Sequence, residues 1–254
     1  MSVEVVHEDH VAIITITRPE ARNAVNGAVA QGIEQALDDY EADDSLWVAI
    51  LTGQGPVFSA GADLKEIAAG NAAALSTKKG GFGGLVRRQR SKPLIAAVNG
   101  AALAGGLELL LACDIAIAVE SAKFGLPEVK RSLVAAAGGL FRLPRAVGRS
   151  MAMEMILTGD PVDATTACSL GLVNTVVSED DLMNQARSLA TRITANAPLA
   201  VQASRNIAEQ ALVESDENLW RMSAKGIRDI MQTEDFKEGP RAFVEKRPPV
   251  WKAR

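Results

Sequence analysis

Apolar residues recur along this chain in two rhythms, and each rhythm predicts its own kind of element. Residues 11–17, Val-Ala-Ile-Ile-Thr-Ile-Thr, are short and β-branched, and Arg18-Pro19 closes them, which predicts a strand. Over 23–40 apolar positions fall at helical spacing with charges gathering toward the end, which predicts a helix. A second strand is expected over 47–52, ended by Gly53-Gln-Gly-Pro56, followed by a short helix over 63–69. Residues 70–84 hold five glycines and two lysines and predict a mobile loop. Strands at 93–98, closed by Asn99-Gly100, and at 115–119 flank a buried helix over 104–113. His7 and His10 flank the first turn. Beyond Asp181 no strand-like run remains, and amphipathic helices fill the rest. Strands alternating with helices, then helices alone, predict an α/β core over residues 1–195 and a helical region over 196–254.

Composition narrows the chemistry. The 254 residues are 48% hydrophobic, enough for a sizeable core, and the net charge of −4 is spread without a basic face. No nucleic-acid or membrane-surface partner is expected from that balance. No apolar run reaches the length of a membrane span, and the opening residues lack a secretory pattern, so a soluble cytoplasmic protein is expected. Cys113 and Cys168 sit among apolar neighbours and predict buried free thiols. With two histidines in the chain, a histidine-rich zinc site is excluded by count. Neither the GxSxG elbow nor a GxxxxGK[ST] phosphate loop is present. Carboxylates, backbone dipoles or a bound cofactor must carry any chemistry here.

Two glycine-containing loops lead from strands into helices: Phe58-Ser-Ala-Gly-Ala-Asp-Leu-Lys65 and Val98-Asn-Gly-Ala-Ala-Leu-Ala-Gly-Gly-Leu-Glu108. Such loops leave first-turn N–H groups unpaired, able to meet an anion or a developing oxyanion. Taken singly, each is a weak signal and better read as an ordinary tight connection. Two carboxylates also stand out. Glu108 lies inside an apolar run, and Glu128 follows Pro127 in Phe124-Gly-Leu-Pro-Glu. One reading makes Glu108 a salt-bridged core residue and Glu128 a charge favoured by a helix N-terminus. The other makes them an acid–base pair with raised pKa values in one pocket.

At these motifs the chain closely resembles the crotonase (enoyl-CoA hydratase/isomerase) family over nearly its full length. The matching segments are Arg18-Pro-Glu-Ala-Arg-Asn-Ala24, Phe58-Ser-Ala-Gly-Ala-Asp63, the block from Asn99 to Asp114, Phe124-Gly-Leu-Pro-Glu128, Leu157-Thr-Gly159, Gly171-Leu-Val-Asn174 and the ending from Glu238 to Trp251. The resemblance implies a spiral of β-β-α turns with a C-terminal helical oligomerisation region. It implies an oxyanion hole at the backbone N–H groups of Ala62 and Gly105. Glu108 and Glu128, twenty positions apart, match the glutamate pair of the family's hydratases. Coenzyme A, as part of the substrate and not a separate cofactor, would contact Arg22, Ala24, Ala60, Asp63, Leu64 and Lys65. The partners implied are an acyl-CoA thioester and further copies of the chain, as a homotrimer or a hexamer, and no metal is implied.

Certain positions depart from the commonest hydratase pattern. Ala104 stands where a third glycine is frequent, and Ser132 and Val134-Ala-Ala-Ala137 replace a stretch richer in Gly and Pro. Ala136 falls where a glycine often lines the water site, so its methyl narrows that pocket. The alternatives are a carnitinyl-CoA dehydratase-like enzyme, an enoyl-CoA isomerase, which the intact glutamate pair disfavours, and a noncatalytic crotonase-fold binding protein.

Overall fold

The β-branched run near the N-terminus acquires a partner that its own pattern does not announce. In the computed structural model, which describes residues 2–254, β1 (Val3–Glu8) pairs antiparallel with β2 (Val11–Ile16) around a turn at Asp9-His10. β1 is an edge strand with Val5 and Val6 exposed among charges, so no apolar alternation marks it. Helix α1 (Gly27–Ala42) starts later than its spacing suggests. Arg22 and Asn23 are left-handed, with φ of 53° and 52°, and helix hydrogen bonding begins only where Asn26 Oδ1 accepts from Val29 N at 2.9 Å.

The chain then winds through repeated turns. The first is β3 (Val48–Gly53), β4 (Val57–Ser59) and α2 (Leu64–Ala68). A small hairpin of β5 (Ser76–Thr77) and β6 (Gly81–Phe82) follows. The second turn is β7 (Leu94–Val98), β8 (Ala101–Leu103) and α3 (Gly105–Leu110). The third is β9 (Ile115–Val119), β10 (Lys123–Gly125) and a 3-10 helix over Pro127–Arg131. The first strand of each turn joins a large sheet and the second joins a small one. β11 (Val162–Asp163) and β12 (Thr175–Val177) complete them, giving orders β1-β2-β3-β7-β9-β12 and β11-β10-β8-β4. Strands β2, β3, β7, β9 and β12 run parallel, and β7 is wholly buried, as strands covered on both faces are.

The small sheet positions the site. Because β4, β8 and β10 are parallel neighbours, their C-terminal ends fall on one edge. The segments leaving them, 60–63, 104–105 and 126–128, are therefore brought side by side.

Helices fill the remainder: α4 (Gly139–Val147), α5 (Arg149–Thr158), α6 (Ala164–Ser169), α7 (Leu182–Thr194), α8 (Pro198–Glu209), α9 (Asp216–Ile230) and α10 (Glu234–Glu245). α7 packs on β3, β7 and β9 and closes the core. None of the described helices is long and apolar enough to cross a membrane.

Two expectations need correction. The buried helix predicted over 104–113 is α-helical only over α3; beyond it Ala112 N and Cys113 N bond three residues back, to Leu109 and Leu110, as the chain turns into β9. The segment 70–84 is not a bare loop. It holds a 3-10 turn over Ala72–Leu75 and the β5–β6 hairpin, anchored by buried Leu75 and by Glu34, whose Oε2 accepts from Gly80 N at 2.7 Å.

Candidate functional site

Two loops build the first wall of the site, and a buried asparagine ties them. Asn23 Nδ2 donates to the carbonyls of Gln54 (2.9 Å) and Val57 (2.6 Å), while its Oδ1 accepts from Arg18 N (3.0 Å). Backbone bonds then zip the loops: Ala60 N to Arg22 O, Val25 N to Gly61 O and Asp63 N to Val25 O. Arg18 spans the seam, donating to Ala24 O and to Asp63 Oδ2 at 3.1 Å. The other oxygen of Asp63 accepts from Lys65 N at the start of α2. Because Gly61 O and Asp63 N both face Val25, strand geometry turns the Ala62 N–H the opposite way.

The second wall is the entry to α3. A side chain on Gly61 would come within 2.6 Å of Gly105 N, so these two backbones touch. A side chain on Gly105 would stand 2.5 Å from the Phe82 ring. Gly105 is the first residue of α3, where N–H groups lack a partner within the helix. Neither Ala62 N nor Gly105 N has a hydrogen-bond acceptor among the described residues. Ala104 just before it has φ 52° and ψ −128°, a conformation at home for glycine and strained for alanine.

The two carboxylates complete the site. Glu108, one turn into α3, is 3% exposed and forms no ion pair among the described residues, so it is not a salt-bridged core residue. Its Oε1 accepts from Gly139 N at 2.9 Å, and a Cβ at 139 would crowd that same oxygen at 3.1 Å and Leu126 Cδ1 at 2.9 Å. Burial pushes its carboxyl up to about 7; the Gly139 N–H opposes the shift and the nearby Glu128 charge reinforces it. Glu128, in the first turn of its 3-10 helix, is 9% exposed, and burial raises its carboxyl too. Its Oε2 is buried with no hydrogen-bond partner among the described residues.

A cleft of about 1070 Å³ opens between these walls. Arg22, Ala24, Ala60, Ala62 and Asp63 line it from the zipped loops, with Leu64 and Lys65 at the start of α2. Gly105 and Glu108 line it from α3, Glu128 from the third turn, and Ala136 from the segment before α4. Every site residue that the family resemblance implied thus lines one cavity. Neither histidine does: His10 stacks on Trp47 at 3.6 Å, away from the cleft. Sequence reasoning missed Asn23 and Ser59, whose hydroxyl donates to Asn23 O at 2.9 Å, as structural ties, and Phe82 and Arg131 as lining residues. A polar residue inside the first matching motif was the one available signal for Asn23. The model of the enoyl-CoA hydratase/isomerase family matches residues 7–254.

The chain belongs to that family. A mevalonyl-coenzyme A hydratase of Aspergillus fumigatus is 41% identical over 96% of this chain and 92% of its own. A carnitinyl-CoA dehydratase of Salmonella enteritidis is also 41% identical, over 95% and 94%. Among solved structures, an enoyl-CoA hydratase from Mycobacterium tuberculosis is similar with a TM-score of 0.95 and 45% identity, over 100% of this chain and 99% of that one. The β-β-α turns seen here are those of the crotonase fold, as the resemblance implied.

Proposed function

We propose that this protein is an enoyl-CoA hydratase, adding water reversibly across the 2,3 double bond of an enoyl-CoA thioester. The observation that carries this reading is the meeting, in one cleft, of two buried carboxylates with two uncommitted backbone N–H groups. Addition of water at C3 drives charge onto the thioester oxygen. The N–H groups of Ala62 and Gly105 would hold that oxygen, and fixed donors of this kind contribute roughly 10²–10³ in rate each. Glu108 would take a proton from the water as its oxygen bonds to C3, and Glu128 would deliver a proton to C2. The relatives are named as hydratases and a dehydratase of coenzyme A esters, which supports the assignment of reaction type.

The coenzyme A portion would lie along Arg22, Ala24, Ala60 and the start of α2, where Lys65 can meet a phosphate. Assembly as a homotrimer or hexamer belongs to the same proposal. Its support is the set of large apolar side chains that α9 and α10 leave exposed, Trp220 (76%) and Phe243 (86%) foremost.

The test is hydration of a short enoyl-CoA by wild type, Glu108→Gln, Glu128→Gln and the double variant, with CoA-ester binding measured separately. Each single change is expected to lower kcat by about 10²–10⁴ with binding largely retained. The double variant should be scarcely worse than the poorer single one, since groups acting together are non-additive. Near-wild-type turnover by folded Glu128→Gln would overturn the reading.

A further inference from the structure

The cleft contains a cation that the proposed hydration chemistry does not use. Arg131 closes the 3-10 helix that carries Glu128, and it lines the cleft with its side chain exposed to it. In a 3-10 helix residues three apart eclipse one another, so Arg131 stands over Glu128 on one face, about 6 Å further along the axis. Its charge is felt at Glu128, where it acts to lower the carboxyl pKa. It forms no ion pair within 4 Å and no hydrogen bond among the described residues. Lys130, the neighbouring base, is by contrast committed to Asp160 and is absent from the cleft. Ser132, left-handed at φ 54°, then turns the chain, and Leu133 and Val134 follow as partly exposed apolar walls of the same cavity.

We infer that Arg131 is a specificity-determining residue that selects an acyl group ending in an anion: a short enoyl chain whose far end carries a carboxylate. The inference rests on the hydratase reading for the direction in which the acyl chain runs. With the reacting carbons between Glu108 and Glu128, the chain beyond C3 passes Leu133 and Val134 and meets the guanidinium one helical turn on. Arginine offers a planar fork of donors that fits a carboxylate in two hydrogen bonds. A trimethylammonium tail has no such fit: it would face a fixed like charge. This is why the carnitinyl relatives' substrate is disfavoured here although their identity to this chain is high.

The experiment compares three matched trans-2-enoyl-CoA esters: one ending in a carboxylate, its methyl ester, and one ending in trimethylammonium. Wild type, Arg131→Gln, Arg131→Lys and Arg131→Glu are each assayed on all three. The readout is the ratio of kcat/KM for carboxylate over methyl ester, so that any change in the shared chemistry cancels. Wild type is expected to prefer the carboxylate by about tenfold or more, the scale of a hydrogen bond to a charged group. The preference should lie in KM, because the tail is remote from the reacting atoms. Gln should erase it, Lys should keep most of it, and Glu should turn it toward trimethylammonium. An unchanged ratio in Arg131→Gln overturns the inference. So does an equal loss on all three esters, which would mean a contact to a coenzyme A phosphate, or a change confined to the pH profile, which would mean tuning of Glu128 alone. If wild type hydrates none of the esters, the hydratase reading fails separately. Binding of the saturated carboxylate and methyl-ester analogues, measured by calorimetry, then still decides whether Arg131 selects an anion.

Discussion

Glu108 is 3% exposed, so ionising it inside the wall it helps to form works against the fold. Burial raises its carboxyl from 4.5 to about 7, so the folded chain binds this proton more readily than the unfolded chain does. Its penalty is absent below the unfolded value, grows as pH rises toward 7, and is constant above. At about 1.4 kcal/mol per pKa unit the limit is roughly 3 kcal/mol. Glu108→Gln keeps the acceptor for Gly139 N and loses the charge. Urea unfolding should therefore find this variant more stable than wild type at pH 8, by up to that amount, with little difference at pH 4. A carboxylate held for structure would give the reverse. Ala104 is strained for a different reason. Relief of its φ of 52° in Ala104→Gly, less the extra freedom glycine gives the unfolded chain, should stabilise by about 1 kcal/mol. Thermal unfolding checks this. Arg22, Asn23 and Ser132 share positive φ with it, so unfavourable backbone gathers on the segments that border the cleft.

Between elements, the wall that presents Ala62 depends on Asn23 more than on any residue of its own loop. Asn23→Ala removes three part-buried side-chain hydrogen bonds and leaves Arg18 N and the carbonyls of Gln54 and Val57 without that partner. A loss of at least about 2 kcal/mol is expected. Because Ala60–Asp63 is zipped to Arg22–Val25, kcat should fall in the protein that still folds, although Asn23 does not line the cleft. Wild-type turnover in that variant would show that the loops hold their place without the tie. The sequence pattern could not reveal this, since Asn23, Gln54 and Val57 are brought together only by the turn of the spiral. Strands β3, β7 and β9 were legible because strands buried on both faces run continuously apolar. β4, β8 and β10, three residues each, are too short to display any period, yet they align the site. Glu108 was legible because a charge in an apolar run is costly and calls for a reason. Arg131 was not, because its place over Glu128 follows from a 3-10 turn that the flanking sequence does not mark.

At the scale of the whole molecule, a charged cluster ties the C-terminal helices to the core, and those helices present apolar side chains outward. Arg205 on α8 reaches Asp114 at 2.8 Å and donates to Arg90 O at 2.6 Å, while Arg90 grips the same carboxylate at 2.9 Å. Burial alone would push Asp114 up, but the two guanidinium groups hold it below the usual carboxylate range. That cluster therefore contributes stability above the unfolded pKa and loses it as pH falls into the acid range. Truncation before Pro198 would leave the aspartate with Arg90 and the Leu94 N–H, without its second guanidinium, and remove α8–α10. We expect aggregated or dissociated protein with little activity. A point substitution separates assembly from folding. Phe243 is almost wholly exposed on α10, so within one chain its replacement costs little. If α10 meets another copy, Phe243→Glu should lower the sedimenting mass while unfolding of the isolated chain is nearly unchanged. Arg205→Met should do the opposite, weakening the fold near neutral pH while the surviving protein still assembles. A Phe243→Glu protein of unaltered mass would exclude α10 from the contact between copies. A soluble, monomeric, fully active truncation product would remove the C-terminal region from assembly and catalysis alike.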